Sequence, residues 1–265
     1  MSPLLVKGRA TGREIVEVTP ASAGWTYVGF RALRLAPGEQ VQLDTGSREL
    51  CLVVLTGSVD VELAGGRRHE QLGRRDSVFD DMPPAAVYVP PGQALSVRAV
   101  REAEVALCSA PSPGGREARV IDPSTMTRTV RGKGSNTRYV RDILPQTAAA
   151  DHLLVVEVVT PAGHASSYPP HKHDQDAAPD ETQLEETYYH RLNPPQGFAF
   201  QRVYTDDRSL DEAMAVENHD VVMVPRGYHP CVAPHGYDLY YLNVMAGPGR
   251  TWIFRNDPVH EWMLS

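Results

Sequence analysis

The sequence predicts an all-β fold in two sandwich or barrel halves, and three observations carry that prediction. Short runs rich in Val, Leu, Tyr and Thr recur along the whole length. They are punctuated by 21 glycines and 22 prolines, which gives turn signals roughly every eight to twelve residues, the rhythm of sandwiches and barrels. The chain also repeats itself: VYVPPG at 87–92 reappears as VMVPRG at 222–227, each behind a strand that opens on glutamate, Glu49 or Glu186. A division into residues 1–115 and 116–265 follows.

In the first half, ELCLVVL (49–55), SVDVEL (58–63), AVYV (86–89), LSVRAV (95–100) and EVALC (104–108) read as strands. Residues 109–136 are rich in Pro, Gly and Ser and read as a crossing linker with an extended strand near 118–121. LLVVEVVTP from Leu153 opens the second half. Helix is expected in one place above all: SLDEAMAV, 209–216, has a Ser N-cap and an acidic first turn. Short helical turns are expected at 139–144 and 148–152.

A net charge of −7 argues against nucleic acid or an anionic membrane surface as a partner. No stretch approaches the apolar length of a membrane span, and the N-terminus lacks a signal-peptide core. Three widely spaced cysteines, Cys51, Cys108 and Cys231, suit free thiols in a reducing cytoplasm.

The chemistry concentrates in the second half. In PPHKHDQD (169–176), His171 and His173 stand two apart, so on a strand they share a face. Adjacent acids Glu185 and Glu186 open the strand TYYHRL, and only one of them can point inward; Glu186 is preferred. His229 follows the turn of PRGYHP. Three imidazoles and a carboxylate form a ligand set for a divalent metal, zinc first, with manganese or iron as alternatives. Alternation from Glu186 would bring Tyr188 and His190 inward as well. A calcium loop in TDDRSLDE and a phosphate loop in VRGKGSN are excluded by their spacing. His164, His235 and His260 stand outside the pattern.

The order HxH, Glu, PxG-x-H resembles the cupin motifs, with longer insertions than usual on either side of Glu186. SSYPPHKHD, LEETYYHRLNPPQGFAFQRVYTDDRSLDE, VVMVPRGYHPCVAPHGYDLYYLNVMAG and WIFRNDPVHEWM resemble the IolB family, the 5-deoxy-glucuronate isomerases of inositol catabolism and relatives of KduI. The resemblance implies a bicupin whose first half has lost its ligands, and an aldose–ketose isomerisation of a small sugar acid by a homo-oligomer. It calls for a general base, drawn from Glu157, His190 and Glu217, unless a hydride shift operates. It also calls for polar contacts to the substrate, with Arg202 for its carboxylate and Lys172, Tyr188, Tyr240 and Tyr241 as further candidates. Two rivals are a cupin dioxygenase using Fe(II) and a sugar-binding protein without catalysis.

Overall fold

Strand runs such as ELCLVVL are apolar without a break because both faces of the sheets they join are covered. A computed structural model describes residues 2–264. In the strand Arg48–Leu63, Leu50, Leu52 and Val54 point into one cluster with Leu33, Val87, Val97 and Val105, while Cys51, Val53 and Leu55 point into another. The first cluster fills the N-terminal barrel. The second lies between the halves and mixes Phe30, Tyr88 and Cys108 with Val155, Tyr189, Tyr240 and Leu242 from the other half. A third cluster, with Val140, Val156, Val158, Tyr188, Val203 and Tyr241, fills the C-terminal barrel. The molecule is an all-β bicupin.

The N-terminal half is one eight-stranded sheet folded on itself by the long strands Arg48–Leu63 and Ala94–Pro111, which pair antiparallel along most of their length. The C-terminal half sets a seven-stranded sheet against a four-stranded one. The order in the larger sheet is Leu5–Val6, Val221–Val224, Glu185–Asn193, Asp238–Ala246, Leu154–Thr160, Arg138–Leu144, Arg128–Arg131. Pairing crosses the expected division at 115/116 twice. Leu5–Val6 joins the C-terminal sheet through Val221–Val224, and Arg119–Ile121 joins the N-terminal sheet through Ala85–Val89.

Two buried glutamates tie the halves together. Glu49 accepts the backbone N–H groups of Asp151, His152 and Leu153 at 2.7–2.8 Å and the Tyr88 hydroxyl at 2.7 Å. Glu185 accepts those of Thr26, Tyr27 and Val28 at 2.7–2.9 Å. Each opens a strand in its own half and closes a loop of the other. The same contact is thus made in both directions.

The expected helix at 209–216 is a strand, Asp211–Glu217, paired residue for residue with Phe198–Tyr204. The cause is a period of two: Met214 and Val216 are buried while Ala213, Ala215 and Glu217 are exposed. Ser209 caps no helix: Asp207 Oδ1 accepts its N–H at 3.0 Å and its hydroxyl at 2.8 Å, closing a turn ahead of the strand. The helical turn expected at 139–144 is likewise a strand, Arg138–Leu144, and 148–152 is an irregular bend. Among the described residues the α-helix is confined to Pro20–Ala23, and no helix is long and apolar enough to cross a membrane.

Candidate metal centre

His171 begins a two-residue strand, His171–Lys172, pinned against Arg255–Asn256. Alternation turns His171 and His173 to one side and Lys172 to the other. His229 reaches the same spot from the far side of the PRG turn. Gly227 holds φ +90°, and a Cβ there would stand 2.4 Å from the Tyr204 carbonyl oxygen, so only glycine fits. Asp174 fastens the two segments together, its Oδ2 accepting the Gly227 N–H at 2.7 Å. Glu186 comes from the strand Glu185–Asn193, inside the barrel.

The result is a tight group. One nitrogen from each of His171, His173 and His229 falls within 4.8 Å of the others, and all three residues are buried. Glu186 Oε2 lies 3.1 Å from His173 Nε2 and 3.2 Å from His229 Nε2. Two of the rings have their tautomer set from behind. His173 Nδ1 donates to the Leu184 carbonyl at 3.1 Å and His229 Nδ1 to that of Gly227 at 2.8 Å, leaving each Nε2 lone pair facing inward. His229 Nε2 is buried without a hydrogen-bond partner among the described residues. The Asn243 amide donates to the other oxygen of Glu186.

The charges agree with this geometry. Burial and the two neighbouring rings hold His171 well below the usual imidazole range. Burial raises the Glu186 carboxyl, but His229 and His173 outweigh it and bring it down to about 2. Burial also disfavours the charged form of His173, yet its contact with Glu186 raises it on balance. An ionised carboxylate among rings with inward lone pairs is a donor set that fits a divalent cation.

The group opens on a cavity of about 270 Å³. His171, Glu186, Tyr188, Tyr241 and Asn243 stand on its wall, and Val140, Val156 and Val158 continue that wall on the neighbouring strands. Tyr188 and Tyr241 are anchored by Ser167 and Ser166 at 3.1 and 2.5 Å. A second cavity of the same volume lies in the N-terminal half, around Arg48 and Glu49, and no histidine lines it.

Several expected site residues stand elsewhere. Glu157 lies on the opposite face of its strand, between Arg75 and Arg141 at 2.9 Å each, because that face packs on the N-terminal half. Tyr240 shares that face and donates to Glu157 at 3.1 Å. Glu217 is an exposed surface acid bonded to Lys7. Arg202 points outward and forms a two-pronged pair with Asp211 at 2.7 and 2.8 Å, since its inward neighbours are Gln201 and Val203. Lys172 turns away from the rings into Asp174, Asp206 and Glu181. His190 does face the barrel interior, but one layer behind Tyr188, with ring centroids 5.9 Å apart. Arg131, Arg138 and Asn256 are on the cavity wall and were not expected there. The spacing of Arg138 and Val140 on one strand face was the available signal, hidden by the helical reading of that segment.

Against known proteins, the model of the KduI/IolB family matches residues 4–263. A 5-deoxy-glucuronate isomerase of Geobacillus kaustophilus is 53% identical over all of this chain and 96% of its own. One from Bacillus subtilis strain 168 is 50% identical over 94% of this chain and 92% of its own. The crystal structure of an IolB-like protein from Salmonella typhimurium LT2 superposes with a TM-score of 0.97 at 50% identity, covering 99% of both chains. Bacillus subtilis oxalate decarboxylase shares the fold at 14% identity, with a TM-score of 0.66 over 97% of this chain and 80% of that one. This chain belongs to the KduI/IolB family.

Proposed function

We propose that this protein is a metal-dependent isomerase that converts 5-deoxy-D-glucuronate to 5-dehydro-2-deoxy-D-gluconate in inositol catabolism. The observation that carries the reading is the inward group of His171, His173, His229 and Glu186 at the head of a cavity where two tyrosine hydroxyls and an amide stand among apolar side chains; the names of the relatives supply the substrate. The four side chains would hold the ion, zinc in the first place and manganese or iron as alternatives. A divalent ion bound there would supply Lewis acidity, polarising the aldehyde and acidifying the adjacent C–H.

The remaining work falls to the chain's own groups. Burial raises the Tyr188 and Tyr241 hydroxyls far above the physiological range, so both stay protonated and can donate to substrate oxygens. Asn243 keeps Glu186 oriented. Of the three residues expected to supply a base, only His190 lies on the inner face, and burial lowers it to about 4, so it is neutral at working pH. It does not line the cavity: its Nε2 is taken up by Gln201 and its ring only stacks behind that of Tyr188, so it has no path to the substrate for a proton. Cytoplasmic location and a homo-oligomeric state belong to the same proposal, the first in keeping with three buried free thiols.

The test is direct. Purified protein incubated with 5-deoxy-D-glucuronate should yield the ketose by NMR, lose the activity on chelation and regain it with added Zn²⁺ or Mn²⁺. A metal-replete protein that leaves the aldehyde unchanged would refute the reading.

A further inference from the structure

Arg138 stands on the cavity wall with a guanidinium that no carboxylate pairs among the described residues. Its Nη1 donates to the backbone carbonyls of Asn136 and Tyr168 at 3.2 and 3.5 Å, which hold the fork in place without neutralising it. Arg131 stands on the same wall, its charge 5.6 Å from the Trp252 ring. Two unpaired cations in a chain of net charge −7 need an explanation. The one acid on that wall, Glu186, is committed to the imidazoles and Asn243.

Strand register shows what lies between Arg138 and the imidazoles. Arg138 and Val140 are two apart on one strand and share a face; Val140 pairs with Val158, and Val158 with Tyr241. One row further on, Val156 pairs with Asn243, which pairs with Tyr188. Across the inner surface the wall therefore runs from guanidinium to valine methyls to phenol and amide, and ends at Glu186. Three strand spacings of about 4.8 Å each, shortened by barrel curvature, separate the Arg138 strand from that of Glu186. An extended six-carbon chain plus an arginine side chain spans that distance.

We infer that Arg138, supported by Arg131, anchors the carboxylate of an extended sugar acid, and that the valine wall beside it selects a substrate whose carbon next to the carboxylate carries no hydroxyl. The inference rests on the isomerase reading for which end of the substrate meets the imidazoles. A planar fork matches a carboxylate with two parallel hydrogen bonds. The carbon attached to that carboxylate then lies against Val140 and Val158, and a hydroxyl there would be buried without a partner. Apolar pockets reject an added hydroxyl by only about 10²-fold, which sets the expected discrimination.

The probes are 2-deoxy-L-gulonate and L-gulonate, the alcohols obtained by reducing the aldehydes of 5-deoxy-D-glucuronate and D-glucuronate, which keep the acid end and differ only at the carbon next to the carboxylate, titrated calorimetrically into the Zn²⁺-loaded protein. The wild type should bind the deoxy acid about 10²-fold more tightly. Arg138→Met should weaken that binding by tenfold or more, and Val158→Thr, nearly the same shape with a hydroxyl, should narrow the gap between the two acids. Equal affinity of wild type and Arg138→Met for the deoxy acid, or equal affinity of the wild type for both acids, would overturn the inference. Because binding is read without turnover, this result stands apart from the isomerase assay. Ordered binding with no isomerisation would sink the proposed reaction and leave the anchor in place.

Discussion

Protonating His190 puts a charge inside a sealed barrel. Its Nε2 donates to Gln201 Oε1 at 2.9 Å, its Nδ1 has no partner, and burial lowers it from 6.5 to about 4. Between those values the unfolded chain takes up a proton that the folded one refuses, so stability falls as the pH drops through 6.5 toward 4. Between pH 7.5 and 5.0 this residue should cost the wild type about 2 kcal/mol more than His190→Phe, measured by urea unfolding of both proteins. Equal losses would show that the ring titrates normally. Other residue-scale features were readable in advance. The shared face of His171 and His173, and the rule that only one of Glu185 and Glu186 can point inward, follow from strand period alone. Which of the two acids points inward was not readable, because it depends on whether an N-terminal loop offers three N–H groups to the other.

That loop contact gives the strand Glu185–Asn193 its two characters. Glu186, Tyr188 and His190 line a barrel, whereas Glu185, Tyr189 and Arg191 serve the joint between halves, Tyr189 donating to Glu104 at 2.7 Å. Replacing Glu185 with Gln removes the charge that three backbone donors share. It should cost about 3 kcal/mol of stability while the bound metal content stays unchanged. Loss of metal with unchanged stability would exchange the roles of the two acids. The strand Asp211–Glu217 shows where reading by element failed. Seven residues are too few to separate a period of two from one of 3.6 when two alanines and an acid supply helix propensity. The pairing partner Phe198–Tyr204 decides the matter, and it is a tertiary fact. The helical turn expected at 139–144 likewise concealed the strand Arg138–Leu144, which brings Arg138 to the cavity wall.

At the scale of the molecule the two halves are one plan with different contents. Aligning VYVPPG with VMVPRG, and Glu49 with Glu185, puts Leu50 where the other barrel has Glu186 and Ala94 where it has His229. Leu50, Leu52 and Val54 accordingly fill the first barrel with hydrocarbon. The repeat, and the grouping of His171, His173, His229 and Glu186 in the second half alone, could be read from the chain. The joint could not. Glu157 shows why, because Arg75 comes from the other half. The face of a central strand that looks like cavity is, after docking, a buried ion cluster with Arg75 and Arg141. Such clusters lose several kcal/mol when one partner is removed, through the charges left behind rather than through any part in catalysis.

The account depends on three imidazoles and one carboxylate closing around a single divalent ion. Elemental analysis with X-ray absorption at the metal edge, on wild type and on Glu186→Gln, measures this directly. The account predicts one ion per wild-type chain with three nitrogen donors and a carboxylate oxygen, and a marked loss of metal in the variant. A wild-type protein that binds no stoichiometric metal, or a variant that keeps its ion in an unchanged donor shell, would contradict it.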